Sequence, residues 1–337
     1  DDDGAGLRRL LEFESMYCGT LEEGRRVKMT GHVPVLLEEV IDFFGTAPSP
    51  SYLDLTFGGG GHARALLERI PDSKVIAIDQ DPMAKERAQS FVETFPERFR
   101  FETRNFSDLG NIQNSGFTGV LMDLGVSSFQ LDEVTRGFSF REDAPMDMRM
   151  NPQQGQTAAE FLETKSLREI ETALRDFGEE PRWRAVARAI VDARGSGVLQ
   201  RTASFAALVE RHAFRQASGR RRIHPATQTF QGIRIAVNRE LECLKQALPL
   251  AFDKLAPDGV LAVISFHSLE DRIVKRYFRR LAGKPEHRYD SRSQQERKVV
   301  ATMLSRKPIT AGAKEVSINP RSRSAKLRVI KKQGLMA

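Results

Sequence analysis

Four consecutive glycines, Gly58 to Gly61, are the part of this sequence whose spacing most directly suggests chemistry. They follow a predicted strand and precede a helical pattern, so their backbone N–H groups can approach a ligand at a helix N-terminus. Asp79 ends the next predicted strand, 21 residues after Gly58, where a carboxylate can accept hydrogen bonds from a ribose diol. The two features predict a nucleoside-containing cofactor. A turn that serves only the fold is the less favoured interpretation, because four glycines are costly to order without a ligand.

The glycines alone do not choose the cofactor. Gly58, Gly60 and Ala63 also satisfy the dinucleotide fingerprint, so a nicotinamide-dependent oxidoreductase is an alternative. Two carboxylates favour S-adenosylmethionine instead, because Asp54 before the glycines and Asp123 after the fourth predicted strand suit a cationic sulfonium. Phe106, just beyond the third predicted strand, could stack on an adenine or simply belong to the core. We therefore expect an S-adenosylmethionine site.

The residues near this site also limit the atom that could be methylated. Methylation at a ring carbon of a pyrimidine, such as carbon 5 of cytosine, is one reaction class that needs a cysteine nucleophile, but Cys18 lies in a polar N-terminal stretch and Cys243 lies within a predicted helix. Direct transfer to a nitrogen or oxygen remains. Asp123 is the first candidate for orienting an acceptor amine, with cofactor binding alone as its equally favoured role. Ser265 and His267, at the end of the fifth predicted strand, are weaker candidates, and His267 suits positioning better than general base catalysis.

The elements that must position these residues form an alternating pattern of strands and helices. Strands are predicted at 52–55, 74–79, 98–102, 119–124, 260–266 and 325–330. Such alternation predicts an α/β, doubly wound sheet with parallel strands. Between the fourth and fifth strands, residues 140–225 carry only helix signals, including a capping box from Ser166 to Glu169. An all-helical insertion is expected there, followed by one long helix over 227–255.

Composition supports a globular enzyme. The 337 residues are 40% hydrophobic and carry 52 lysines and arginines against 45 acidic residues, a net charge of +7 that favours anionic partners only weakly. Two distant cysteines exclude a disulfide framework and the usual zinc spacing, and no metal site is predicted. No apolar run has membrane-spanning length, and the acidic start lacks the layout of a signal peptide, so a cytoplasmic, non-membrane protein is expected. Residues 1–28 are expected to form a disordered extension.

Longer motifs make a specific resemblance possible. The chain from Gly31 onward resembles the bacterial 16S rRNA cytosine-N4 methyltransferase family. The matching segments are HVPVLL at 32–37, TFGGGGH at 56–62, AIDQDP at 77–82, DLGVSSFQLD at 123–132, RGFSF at 136–140, MDMRM at 146–150, HPATQTF at 224–230 and ISFHSLEDRIVK at 264–275. The chain lacks the Asp/Asn-Pro-Pro-aromatic motif of many DNA amino methyltransferases, so the catalytic arrangement of those enzymes does not transfer to it.

The resemblance implies methylation of a cytosine N4 in the decoding centre, near the P site of the small ribosomal subunit, with S-adenosylmethionine as donor. It implies a Rossmann-like methyltransferase domain over 29–139 and 226–337, and we assign RNA recognition to the insertion at 140–225. The residues implied at the cofactor are Gly60, Gly61, His62, Asp79, Phe106, Asp123 and Gln130. A structural lid or a dimer surface is the alternative role for the insertion. A ribosome assembly factor without turnover is the non-enzymatic alternative.

Basic residues around the expected active-site mouth are candidates for RNA contact. They are Arg220, Arg221, Arg222, His224, Arg234 and Lys275. The target base must leave its stack, and Phe138, Phe140 or Phe230 could support it by stacking, although core positions are the better interpretation for all three. The expected partner is 16S rRNA within the small subunit, and the sequence leaves a homodimer open.

Overall fold

A seven-stranded sheet forms the centre of the protein. The computed structural model describes residues 33–45, 49–110, 112, 114–213 and 224–334. The strands are β1 (Ser51–Asp54), β2 (Lys74–Asp79), β3 (Phe99–Thr103), β4 (Phe117–Asp123), β5 (Leu255–Ser265), β6 (Ala301–Met303) and β7 (Lys326–Lys332), in the order β3-β2-β1-β4-β5-β7-β6. Strands β1 to β5 pair in parallel, and β7 runs antiparallel between β5 and β6.

The strand order places the expected site at one edge of the sheet. Because the chain winds outward from β1 in both directions, β1 and β4 lie at the centre, and their carboxyl ends carry Asp54 and Asp123. In such sheets the crevice beyond the carboxyl ends of the strands, where the strand order reverses, is the usual ligand position. The predicted doubly wound α/β class is confirmed.

Individual strands also match their predictions closely, with two exceptions. Strand β2 has the predicted bounds, whereas β6 was not predicted at all. Strand β5 begins at Leu255, before the predicted start at residue 260, and its pairing with β4 jumps from Leu255 to Val260 at an irregularity. Asp258 has a φ of 63° there, so the chain bulges and continues as a strand.

Helices cover both faces of the sheet. They are α1 (Leu37–Phe44), α2 (Gly61–Arg69), α3 (Pro82–Thr94) and α4 (Ser128–Asp132) and, further along the chain, α10 (Glu240–Asp253), α11 (Ser268–Leu281) and α12 (Ala313–Ile318). Helices α5 to α9 lie between α4 and α10 in the chain and are described in the next paragraph. One apolar core joins the sheet to α1, α2 and α3. The other joins it to α10 and α11. Apolar side chains on both faces explain why the strands read as nearly continuous hydrophobic runs.

Between β4 and β5 the described chain is helical and has a third core. Helices α5 (Ala158–Thr164), α6 (Leu167–Thr172), α7 (Trp183–Asp192) and α8 (Thr202–His212) pack together with α9 (Ala226–Asn238). The predicted capping box is confirmed, because the Glu169 N–H donates to Ser166 Oγ and the Ser166 N–H donates to Glu169 Oε2. The division of the chain into domains stays a prediction, and the expected extension at 1–28 lies outside the described residues.

The single long helix predicted over 227–255 is wrong. The structure has two helices, α9 and α10, separated at Arg239, whose φ of 52° ends the first helix. The Asn238 side chain accepts from Met150 N and donates to the Met148 carbonyl, which ties the end of α9 to the preceding loop. The break lets α9 pack in the helical core while α10 packs against the sheet. None of the helices in the described ranges is both long and apolar enough to traverse a lipid bilayer.

Candidate methyl-donor and acceptor site

The glycine loop connects the carboxyl end of β1 to α2 through two residues in the left-handed region. Gly58 has a φ of 54° and Gly60 a φ of 76°. A Cβ on Gly59 would lie 2.3 Å from the Phe129 ring, and one on Gly61 would lie 2.3 Å from Pro34. The loop therefore has no room for side chains at Gly59 and Gly61. The N–H groups of Gly58 and Gly60 donate within the protein, to Asp79 Oδ2 and to the Phe57 carbonyl, and contact of the loop with a ligand stays a prediction.

Asp79 is directly connected to this loop. Its Oδ2 accepts from Gly58 N at 2.7 Å and its Oδ1 accepts from Asp81 N at 2.9 Å. Burial raises the pKa of this carboxyl above its usual range, while the two N–H groups act in the opposite direction. Each oxygen keeps a lone pair, so Asp79 can still accept the two hydroxyls of a ribose.

Behind Asp79 lies a buried hydrogen-bonded network. Asp81 Oδ2 accepts from Gln130 Nε2 and from Arg136 Nη1, both at 2.9 Å. Arg136 Nη2 also donates to the carbonyls of Arg149 and Met150. Gln130 is therefore held in place at this edge, with one Nε2 hydrogen bonded to Asp81 and the other free to meet a ligand. The network joins the donor side of the sheet to the loop before the helical region.

Asp123 and His62 meet where β4 ends beside α2. His62 Nδ1 lies 3.9 Å from Asp123 Oδ2, and its Nε2 lies 3.0 Å from the Val35 carbonyl. Burial lowers the pKa of His62 to about 4, so the imidazole is neutral at physiological pH. His62 Nε2–H then donates a hydrogen bond to the Val35 carbonyl, and the histidine contributes no positive charge to this edge.

The convergence of several carboxyl groups, each of which disfavours ionisation of the others, is the dominant electrostatic property of this edge. Burial, followed by the charges of Asp54 and Glu270, raises the pKa of Asp123 well above its usual range. Burial raises the pKa of Asp54 to about 7, and the charge of Asp79 adds to this effect. Asp123 Oδ1 is buried and makes no hydrogen bond within the described part of the chain. A cationic ligand would stabilise these ionised carboxylates and satisfy that oxygen, so the residues fit S-adenosylmethionine.

Phe106, which is expected at the adenine, lies in a loop whose position is fixed. Phe106 is half-buried in the loop after β3 and packs against the second sheet core. Next to it, Asn105 Nδ2 donates to Gln80 Oε1, and Asn105 Oδ1 accepts from Ser107 N. The loop is held by its own side chains, so the exposed part of the Phe106 ring has a defined position.

The end of β5 brings the weaker catalytic candidates to the same edge. Ser265 is buried and its hydroxyl donates to the Lys326 carbonyl of β7, which gives it a structural partner. His267 precedes α11, and its Nε2 lies 3.2 Å from Glu270 Oε1. Glu270 Oε2 accepts from Phe266 N at 2.9 Å and from His267 N at 3.4 Å, at the start of α11.

Some of the residues predicted to contact RNA are exposed, and one is paired inside the protein. Lys275 is exposed on α11, and His224 is exposed with its ring centroid 4.6 Å from that of Phe140. Arg234, in contrast, donates to both oxygens of Glu240, at 2.9 and 3.0 Å, and its side chain is only 18% exposed. Its guanidinium is therefore used inside the protein rather than presented to phosphates. Arg220, Arg221 and Arg222 lie outside the described residues, and Phe138 and Phe230 are in the helical core as preferred.

Similarity to known proteins identifies the family. The model of the MraW methylase family matches residues 29–333. The chain belongs to this family.

Curated relatives agree with the assignment. The protein named ribosomal RNA small subunit methyltransferase H from Heliobacterium mobile is 45% identical over 312 residues, covering 89% of this chain and 98% of the relative. The protein of the same name from Cyanothece sp. is 46% identical over 300 residues, covering 88% and 93%. The one from Xanthomonas axonopodis pv. citri is 46% identical over 308 residues, covering 90% and 88%. As a MraW methylase, this chain is an S-adenosylmethionine-dependent methyltransferase, and the oxidoreductase alternative is set aside.

Several site residues of this MraW methylase were not predicted as such. Asp81, Arg136, Glu240 and Glu270 are charged side chains less than a tenth exposed. Charged residues are rarely buried unless paired, but sequence alone does not say which of them are buried. For Asp81, Arg136 and Glu270, the sequence contains one indication of a role at the site, which is that they lie inside the motifs at 77–82, 136–140 and 264–275. Glu240 lies in none of these motifs, so nothing in the sequence indicated it.

Proposed function

We propose that the protein transfers a methyl group from S-adenosylmethionine to the N4 amine of a cytosine in 16S rRNA of the small ribosomal subunit. The observation that carries this proposal is the buried, hydrogen-bond-free Asp123 Oδ1 at the donor edge of the sheet. The names of the curated relatives support the choice of small-subunit RNA as substrate.

Donor binding is assigned to residues of β1, β2, β4 and the loops after them. Gly58, Gly60, Gly61 and His62 form the loop and its helix start, Asp79 accepts from the ribose, Phe106 covers the adenine, and Asp123 and Gln130 lie toward the methyl. When bound, S-adenosylmethionine supplies an electrophilic methyl group on a cationic sulfur. Neutral His62 leaves the negative charge of Asp123 uncompensated, which favours that cation.

Asp123 is also the residue assigned to the acceptor. The N4 lone pair of cytosine is delocalised into the ring, so the amine is a poor nucleophile. A carboxylate oxygen that accepts an N4–H hydrogen bond localises the lone pair and stabilises positive charge as it develops. The enzyme's remaining contribution is alignment and exclusion of water. We assign no cysteine adduct: Cys243 lies on α10, where burial raises its thiol pKa, and Cys18 lies outside the described residues.

RNA recognition is assigned to the helical region at 140–225 and to the basic residues Arg220, Arg221, Arg222, His224 and Lys275. Arg234 acts on this surface only indirectly, because Glu240 holds its guanidinium.

Transfer of labelled methyl to isolated small ribosomal subunits tests the proposal. Small subunits prepared from cells that lack this activity are incubated with the enzyme, and their nucleosides are separated by mass spectrometry. We expect label in N4-methylcytidine, and loss of that label with Asp123→Ala. Label on another atom would refute the N4 assignment, and RNA binding without any label would favour the assembly-factor alternative.

A further inference from the structure

A second cluster of buried ionisable side chains lies beside the donor edge, where α10, α11 and the loop after β5 meet. It consists of Glu240, His267 and Glu270, and one ligand atom from each lies within 4.8 Å of the others. Glu240 is 8% and Glu270 3% exposed, and the His267 side chain is 10% exposed. The cluster therefore differs from acidic groups on a surface, which water solvates.

His267 is the observation that points to a ligand. Both of its ring nitrogens are buried; Nδ1 has no hydrogen-bond partner among the described residues, and the polar neighbour of Nε2 is Glu270 Oε1. A buried polar atom without a partner is costly, so a nine-tenths buried imidazole in this state favours an additional bonding partner. Its Nε2 lies 3.2 Å from Glu270 Oε1. That separation suits two adjacent ligands of one ion with bonds of about 2.0–2.2 Å.

The surrounding contacts hold both carboxylates as metal ligands are commonly held. Glu270 Oε2 accepts from Phe266 N at 2.9 Å, which leaves Oε1 directed to the histidine. Arg234 holds the two oxygens of Glu240, and each oxygen retains a second lone pair. Ligating carboxylates are themselves usually hydrogen-bonded in this way, which fixes their orientation.

Charge balance leads to the same conclusion. Glu240 and Glu270 contribute two negative charges, and Arg234 contributes one positive charge. With a neutral imidazole, the buried cluster retains one net negative charge, close enough to Asp123 for Glu270 to affect that carboxyl. A bound cation would compensate it.

We propose that Glu240, His267 and Glu270 bind one divalent transition-metal ion, Mn²⁺ or Zn²⁺, at the carboxyl edge of the sheet. Two carboxylates with one imidazole are ligands that both ions accept, and three protein ligands leave at least one position for water or substrate. Glu240 and His267 are far apart in sequence and lack a metal-ligand spacing, so the sequence predicted no metal. The proposal concerns ion binding and does not depend on which base is methylated.

Metal binding by the full-length protein tests this directly. The purified protein is treated with EDTA, dialysed, and titrated with MnCl₂ and separately with ZnCl₂ by calorimetry, with ion content measured by mass spectrometry. We expect one ion per chain, and a dissociation constant that rises about tenfold or more in His267→Ala and Glu270→Gln. Glu242→Gln is the matched control, because Glu242 lies exposed on the same helix and pairs with Arg239; its binding should equal that of the wild type.

Two results would overturn the proposal. Wild-type protein that takes up neither ion would show that the cluster is not a metal site. Equal uptake by wild type and both variants would place the ion elsewhere. The wild-type titration decides the first point even if a variant fails to fold, and circular dichroism together with S-adenosylhomocysteine binding identifies such a variant. Since no RNA is present, failure here is distinguishable from failure of the proposed reaction.

Discussion

Arg136→Met should be one of the most destabilising single substitutions near the donor site. Arg136 and Asp81 form a buried ion pair, with side chains 8% and 2% exposed and Nη1 2.9 Å from Oδ2. Removing the arginine leaves the Asp81 carboxylate buried without its counter-charge, which costs about 3–5 kcal/mol. With an unfolding entropy of about 2.1 cal/mol/K per residue, a chain of this length should lose about 4–7 °C in its unfolding midpoint.

Thermal unfolding of four proteins measures this effect. Asp81→Asn combined with Arg136→Met removes both charges, so more than half of the lost stability should return. Arg69→Met is the control, because Arg69 pairs with Glu38 on the surface, with side chains 31% and 58% exposed, and such pairs contribute less than about 1 kcal/mol. The expected cost of breaking the buried pair would be contradicted by an unfolding midpoint of Arg136→Met within about 1 °C of that of Arg69→Met. It would also be contradicted if the double variant were less stable than Arg136→Met alone.

Three further predictions concern the glycine loop and its carboxylates. Gly60→Ala should destabilise the fold by about 2–4 kcal/mol in chemical denaturation, because its φ is 76° and the new Cβ would lie 2.5 Å from Phe91; Gly110→Ala, whose Cβ meets nothing within 4 Å, is the control. Asp54 has a pKa of about 7 when folded and 3.8 as its ordinary value, so its contribution to stability is present below the lower value and is lost as pH rises through about 7. Asp54→Asn should flatten that decline in denaturation curves, and unchanged slopes would contradict it. Asp79→Asn should weaken S-adenosylhomocysteine binding in calorimetry, and transfer should recover at high donor concentration; wild-type affinity would remove Asp79 from the ribose site.

Local signals predicted the parts of the fold that depend on neighbouring residues. The bounds of β2 follow from one apolar run, and the start of α6 follows from Ser166 and Glu169 three residues apart. The position of Asp79 was equally predictable, because a strand end and a glycine loop suffice to place it. These elements need no information about distant parts of the chain.

Long-range contacts explain what the sequence did not predict. The break at Arg239 depends on Asn238, which binds the backbone of residues about 90 positions away. Strand β6 has only three residues and exists because β7 provides an edge to pair with. From the sequence, Arg234 was predicted to be an exposed cation on a helix. In the structure it donates to Glu240, which lies after the helix break at Arg239.

The carboxyl edge of β1, β2 and β4 is assigned to binding of the methyl donor, with the reactive end of the donor at Asp123. A crystal structure of the protein with S-adenosylhomocysteine would show this contact directly. We expect the ribose hydroxyls on Asp79, the adenine against Phe106, and the sulfur on the side of Asp123 and Gln130. A ligand bound elsewhere, or bound here with its sulfur directed away from Asp123, would contradict the assignment of both donor and acceptor.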